Sequence, residues 1–420
     1  MGWEAGLNRV LALRTTANAI LFLGAALIMA AILLSTYTAS RVTRIPLDID
    51  MTLQSSGTAA KALDPASLST DRFVANNDVP VVQQQQFSTE SGVDTPSNAD
   101  VVTLQVGTTL RRTDKQQDSG LLLAIVDTVT LNRMTAMAVA SESDTAGFLQ
   151  RPRTMDDTSP PTPMKVGHEG LNYRFPFDVE KKTYPYFDPI AQKTFDANYD
   201  GEEDVNGLTT FHFKQNVGLD NNGKLVEPVE YPSLYLDKED ATVTARAALW
   251  GLPGPPDDQV KMKRYYAAQR DFWVDPVTGT IVKTEERAMH YFVRCDDPGC
   301  KNRDPLKPDV TLVDYTVAST QATVEQQVNA ARDERDRIAV WARILPITFT
   351  ALGIVALVGG ALLALFTLRT DTALIDPGLD DAEHGFFGPR GPSGEPVPGA
   401  EAETEKLPAQ RRPPPAPPPP

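Results

Sequence analysis

Histidine and cysteine are scarce in this sequence of 420 residues, at four and two copies, and aromatic residues make up only 7% of it. His168, His212, His290 and His384 are scattered, and no GxSxG elbow, HExxH, P-loop or GxGxxG stands in a fitting context. No enzyme is expected. Positive charge is also short: 40 Lys+Arg face 55 Asp+Glu, giving −15, and no basic stripe is interleaved with aromatics. Such a surplus repels a phosphate backbone, so nucleic acid is excluded as a partner. With a mean hydropathy of −0.27 the averages describe a soluble protein. Those averages conceal two segments.

From Thr15 to Ser40 there are 26 consecutive positions without a charge, and Ile344–Leu368 is a second uncharged run, of 25, between Arg343 and Arg369. At ~1.5 Å per residue, either run is long enough to cross a ~30 Å hydrocarbon layer as a helix. Pro346 falls in the first turn of the second run, where a missing N–H costs little, and Gly359 and Gly360 permit close helix contact. The alternative for the first run is a cleaved signal peptide, with Arg9 and Arg14 before it and Thr38 and Ser40 at a cleavage-like site. Its length exceeds the usual apolar region of such a peptide, which favours an uncleaved anchor.

Two spans predict a cytoplasmic N-terminus over 1–14, transmembrane helices over 15–40 and 344–368, and a cytoplasmic tail over 369–420. The large domain between them is expected to be extracytoplasmic, in a multi-pass protein of the plasma membrane. Counting Lys and Arg near the spans favours the opposite orientation, but long domains translocate largely regardless of charge. Cys295 and Cys300, in CDDPGC, favour export, because the Asp-Pro-Gly turn brings their ends together and a disulfide persists in an oxidising compartment. No second Cys pair or nearby His completes a zinc site there.

Residues 45–368 carry −14 of the net charge, the flanks +3 and −4. The fold class expected is α+β, a large β-rich, mainly antiparallel domain over 41–322 between terminal helices. Strand-like patterns occur at 101–110, 121–131, 209–214 and 309–317, and 270–287 reads as a hairpin turning at Asp275-Pro276-Val277-Thr278-Gly279. Residues 62–100 and 141–165 are rich in Ser, Asp, Gln and Pro and read as long connections. A membrane-proximal helix is expected over 323–343, with Thr323 and Gln326 at capping-box spacing. The last 52 residues hold 13 of the 34 prolines, so the tail is expected to be disordered, solvated or bound by a proline-reading partner.

Two segments suggest sites. Asp196, Asn198, Asp200, Gly201 and Asp204 occupy calcium-loop positions, but the twelfth is Gly207 rather than Glu, which excludes an EF-hand. A non-EF Ca2+ loop and an acidic surface turn both fit; no other cofactor is expected. Tyr173, Phe175, Phe177, Tyr184, Tyr186 and Phe187 form an aromatic cluster that fits core packing or the lining of an apolar ligand site.

Together, FPFDVEKKTYPYFDP (175–189), DGEEDVNGLTTFHF (200–213) and WVDPVTGTIVKTEER (273–287), set between two terminal spans, resemble the actinobacterial PorA-type family of envelope proteins. Trp273–Pro276 with Gly279 is the most specific piece. The resemblance covers residues 10–370 and implies an exoplasmic domain and a channel-forming relative; no active site comes with it. The topology is also similar to that of CD36-type scavenger receptors, by architecture alone.

Two functions follow as expectations. In the first, the outer domain binds, passes or scaffolds hydrophobic envelope molecules, with membrane lipids as partners. In the second, the chain is a porin-like channel. A single-chain outer-membrane barrel would lack long apolar helices, and two helices cannot enclose water, so a channel needs self-association and its acidic vestibule would prefer cations.

Overall fold

The computed structural model describes residues 2–91, 97–141, 144–146, 164–232, 242–297, 299–301 and 303–374. Helix α1 (Gly2–Leu33) runs through a π turn at Leu34–Thr38 into the short α2 (Ala39–Val42). Then come strands β1 (Asp50–Leu63), β2 (Ala75–Glu90), β3 (Val101–Arg112), β4 (Leu121–Asn132), β5 (Thr145–Ala146), β6 (Met164–Lys165), β7 (Tyr184–Asp188), β8 (Lys193–Val205), β9 (Leu208–Val217), β10 (Val229–Glu230) and β11 (Thr242–Arg246). After α3 (Ala247–Trp250) come β12 (Gln259–Val274), β13 (Ile281–Arg294) and β14 (Val310–Ser319), then α4 (Gln321–Ile338), a π turn at Ala339–Ile344, and α5 (Leu345–Leu374). The tail beyond Leu374 and most of 141–165 lie outside the described residues.

Two helical stretches, Leu11–Val42 and Gln321–Arg369, are long and apolar enough to cross a membrane. They touch along glycine. A methyl group added at Gly24 would meet the Gly353 carbonyl oxygen at 2.9 Å, and one at Gly360 would meet Leu21 at 2.8 Å. Small residues let the backbones approach this closely, where hydration contributes nothing and packing alone holds helices together.

The strands form one antiparallel sheet in the order β6-β5-β4-β3-β2-β1-β14-β13-β12-β9-β8-β7, with β10 and β11 also on β12. The strands expected at 101–110, 121–131, 209–214 and 309–317 are present and slightly longer. Residues 62–100 need correction: they hold the 16-residue β2. Its polar composition hid a period of two, in which Val79, Val81, Gln83 and Phe87 are buried while Asp78, Pro80, Gln84 and Gln86 are exposed.

The edges of this sheet are bridged by a strap. Leu131 of β4 pairs with Ala138, Met137 with Leu171, and Leu171 runs parallel to Tyr186 of β7. Ala138 N–H donates to Gly170 O at 2.8 Å, Leu171 N–H to Pro185 O at 2.8 Å and Phe187 N–H to Leu171 O at 2.9 Å. These bonds close the sheet on itself as a barrel, and closure removes the unpaired edges that an open sheet leaves.

The expected hairpin joins β12 and β13. The Asp275 carboxylate accepts from Thr278 N–H at 3.0 Å and from its hydroxyl at 2.6 Å, which fixes the turn. Gly279 is required twice over: its φ is +75°, and a Cβ there would stand 2.2 Å from Phe175 O. Phe175 N–H donates to Gly279 O at 3.0 Å and Val179 N–H to Pro276 O at 2.7 Å, so two of the segments that carried the resemblance bond to each other.

Helix α4 starts earlier than its capping signature indicated. Thr320 is the N-cap, accepting from Thr323 N–H at 3.3 Å, because β14 ends at Ser319 and the chain turns there. The Thr323 hydroxyl instead donates to Gln54 O at 2.9 Å and ties the helix to β1. Val324, Val328 and Ala331 pack on Trp273 and Val282.

Candidate functional site

The inward residues of the barrel sort into layers. Toward one end Val79, Val81, Leu110, Tyr266, Ala268, Ala288 and Tyr315 pack together, and toward the other Phe87, Leu104, Val106, Tyr186, Phe213 and Phe272 do. Between them, on the same inward rows, stand Gln83, Gln215, Arg270 and Glu286. Arg270 uses all three of its nitrogens: Nε donates to Glu286 Oε2 at 2.6 Å, Nη1 to Asp188 and to Gln215 Oε1 at 3.2 Å, and Nη2 to the Tyr266 hydroxyl at 2.7 Å. Tyr266 donates to Asp188 Oδ2 at 3.0 Å, and Tyr315 and Gln83 donate to Glu286 Oε1. Burial opposes the guanidinium, but Asp188, Tyr266 and Glu286 outweigh it and hold the Arg270 pKa well above its ordinary value.

Against this polar layer lies a cavity of about 500 Å³. Its buried walls include Phe87, Leu104, Leu123, Ile125, Phe187, Ile190 and Phe272, with Arg270 and Gln83 on its floor. Asp48, Asp50, Glu285, Ala330 and Arg337 line it and are exposed, so they mark the mouth. The volume is that of a small-molecule site, and a mostly apolar wall with a few placed polar groups is the usual construction of one.

The aromatic cluster divides. Tyr173, Tyr186 and Phe187 line the cavity, whereas Phe175 and Tyr184 pack in the adjoining core, with Phe175 and Phe213 at 4.7 Å between ring centroids. Phe177 lies under the Arg174 guanidinium at 5.1 Å. The cavity also takes Met51, Leu53, Gln83, Gln85, Leu104 and Arg270, which drew no attention in the sequence. For Met51, Leu53, Gln83 and Gln85 the signal was available only as the odd-numbered rows of β1 and β2, which the glutamines obscured; Leu104 and Arg270 belong to β3 and β12.

The acidic segment 196–204 is strand β8, paired with β9 through a bulge between Tyr199 and Gly201. An extended strand spreads Asp196, Asn198, Asp200 and Asp204 along its length rather than around a point. Asp204 caps the following turn, accepting from Gly207 N–H at 2.8 Å, and Asp200 lies 3.5 Å from His212 Nδ1. Among the described residues no group of three or more His, Cys, Asp or Glu side chains could hold a metal ion. Cys295 and Cys300 form a disulfide with an S–S distance of 2.02 Å at the end of β13.

The closing strap has its own polar core. Asp127 of β4 accepts from Tyr173 OH, and its other oxygen pairs with His168 Nε2 at 3.0 Å. Asp144 accepts from Thr130 N–H at 3.0 Å, and burial pushes its pKa up to about 6 against the pull of His168 and Thr130. Burial also works against the His168 imidazolium, but the hydrogen bond to Asp127 and the charges of Asp127 and Asp144 leave its pKa raised. Tyr173, a cavity wall, sits at φ +59°, a conformation that a bulky side chain adopts only when its surroundings hold it there.

Together these features define a membrane protein, an antiparallel β domain between helices long and apolar enough to span a bilayer, with an internal cavity. The chain belongs to the Porin PorA family, whose model matches residues 16–362. It is similar to Porin PorA of Corynebacterium amycolatum, at 27% identity over 86% of this chain and 100% of that protein. It is also similar to Porin PorA of Corynebacterium resistens, at 26% identity over 85% of this chain and 98% of that protein.

Proposed function

We propose that the chain serves solute passage across a cell-envelope membrane, in the sense of its relatives' name, and does so as an assembly of copies. Each copy is anchored by two spans, with both termini cytoplasmic and the barrel outside. The observation that carries the assembly is that the two described helices of one copy pack backbone to backbone, which leaves no room for water between them. The outer rows of β1 and β2 expose Thr52, Gln54, Ser56, Asp78, Gln84 and Gln86, which unfits this wall for lipid, and the helices meet backbone to backbone at Gly24 and Gly353. Several helix pairs could surround water, and the −14 carried by residues 45–368 would then favour cations. Purified full-length protein in planar bilayers is expected to give stepwise, cation-selective conductance, with chemical crosslinking showing higher oligomers. Silence in bilayers where crosslinked assemblies are present would sink this reading.

A second reading is favoured by the cavity: the barrel holds a hydrophobic envelope molecule. Extraction of the purified protein and mass spectrometry of what leaves it is the test. Protein that carries no apolar compound and takes up no added one would refute it.

A further inference from the structure

The cavity mouth lies beside the membrane surface. Asp48 follows the last residue of α2 by six positions, and Arg337 belongs to the final turn of α4, which continues through the π turn into α5. One helical turn beyond Arg337 is Trp341, large, apolar and exposed, and Tyr37 is similarly exposed on the partner helix with Arg41 over its ring at 4.4 Å. Aromatic rings of this kind sit at the headgroup level of a bilayer. Arg337 therefore stands about 6 Å along the helix axis from the headgroup zone.

Chemistry at the two ends of the cavity sets the orientation of an occupant. Two guanidiniums line the interior: Arg270 spends four of its N–H bonds on acceptors and is flanked by Asp188 and Glu286, and Arg174 is paired with Glu334 at 2.7 Å, so neither carries an unbalanced positive charge for an incoming anion. The walls above Arg270 are largely apolar, with Leu104, Leu123, Ile125, Phe187 and Phe272 interrupted by Gln85, Thr108 and Asn172. The mouth carries Asp48, Asp50 and Glu285 beside Lys283 and Arg337, a mixed rim with no cationic surplus. An anionic headgroup is thus favoured at neither end, while an aliphatic chain matches the walls.

Resting on the reading that the barrel holds a hydrophobic molecule, we infer that its occupant is a membrane lipid that inserts an acyl chain through the mouth between residues 46–50 and α4, leaving its headgroup at the rim. The bilayer interior and the largely apolar cavity are similar environments for the chain, so its hydration differs little between the two end states.

The test uses full-length protein in phosphatidylcholine vesicles whose acyl chains end in a photoactivatable diazirine, with peptide mapping after irradiation. Labels are expected in β3 and β4, around Leu104 and Leu123, as well as on α1 and α5. Leu104→Trp and Leu123→Trp, each checked by thermal melting, fill the cavity and are expected to lower the interior label about tenfold while the helix label persists. A folded variant that keeps its interior label overturns the assignment. So does label confined to the helices of the unaltered protein while a soluble probe, anilinonaphthalene sulfonate, enters the barrel; that result spares the broader reading. If neither probe reaches the interior, both fail.

Discussion

Arg270 is the residue on which the barrel interior depends. It neutralises Asp188 and Glu286 in a layer between two apolar clusters, and removing one member of such a network strands the others without water. Arg270→Met is expected to destabilise the domain by about 3–5 kcal/mol, measured as a fall in the urea midpoint at unchanged slope. Tyr173→Phe is milder, since it removes one hydrogen bond to Asp127 and leaves the ring in the cavity wall; about 1–3 kcal/mol is expected in the same measurement. The partners of neither residue were legible in the sequence. Tyr173 was picked out as an aromatic in a cluster, but its link to Asp127, 46 positions away, depends on which strand the strap meets. Arg270 opens the 270–287 hairpin, and nothing near it in the sequence points to Asp188, 82 positions away.

At the scale of elements, the strap that closes the sheet is held by two titratable groups whose pKa values are both raised. His168 has a raised pKa, so its contribution is complete below the unfolded value of about 6.5 and is lost as pH rises through the folded one. Asp144 also has a raised pKa, about 6 in the folded protein, so its ionised form is penalised above that pH. Both act in the same direction. Amide exchange in residues 168–172 is expected to slow on going from pH 8 to pH 5.5, after correction for intrinsic rates, and His168→Gln is expected to flatten the His-dependent part. The disulfide closes a short loop at the end of β13. Replacing both Cys295 and Cys300 by Ser is expected to cost about 2 kcal/mol in thermal or urea unfolding, as loop-closure entropy for a span this short allows. The hairpin at 275–279 and its glycine could be read directly, whereas β2 could not, because its glutamines look like linker until they alternate with buried valines.

For the whole molecule, the long apolar surface belongs to the helix pair and the enclosed cavity to the barrel. The pair depends on the close approach of Gly24 and Gly353. Gly353→Ile is expected to push α1 and α5 apart, seen as a longer distance between spin labels placed on the two helices, with the barrel's melting unaffected. The polar outer rows of β1 and β2 make the same contrast from the other side, since they suit water, whereas the helices are long and apolar enough to cross a bilayer.

The sequence by itself determined the helices suited to spanning, the antiparallel character of the domain, the hairpin and the cysteine pair. Each of these is local: a charge-free run of sufficient length, a period of two, or a turn between nearby residues. Only the tertiary structure decided that the sheet closes through residues 137–138 and 170–172, that Arg270 meets Asp188 82 positions away, and that three of the six aromatics face a cavity while two pack in core. The reason is register: which inward row faces which is set when distant strands pair, and composition along one strand does not contain that information.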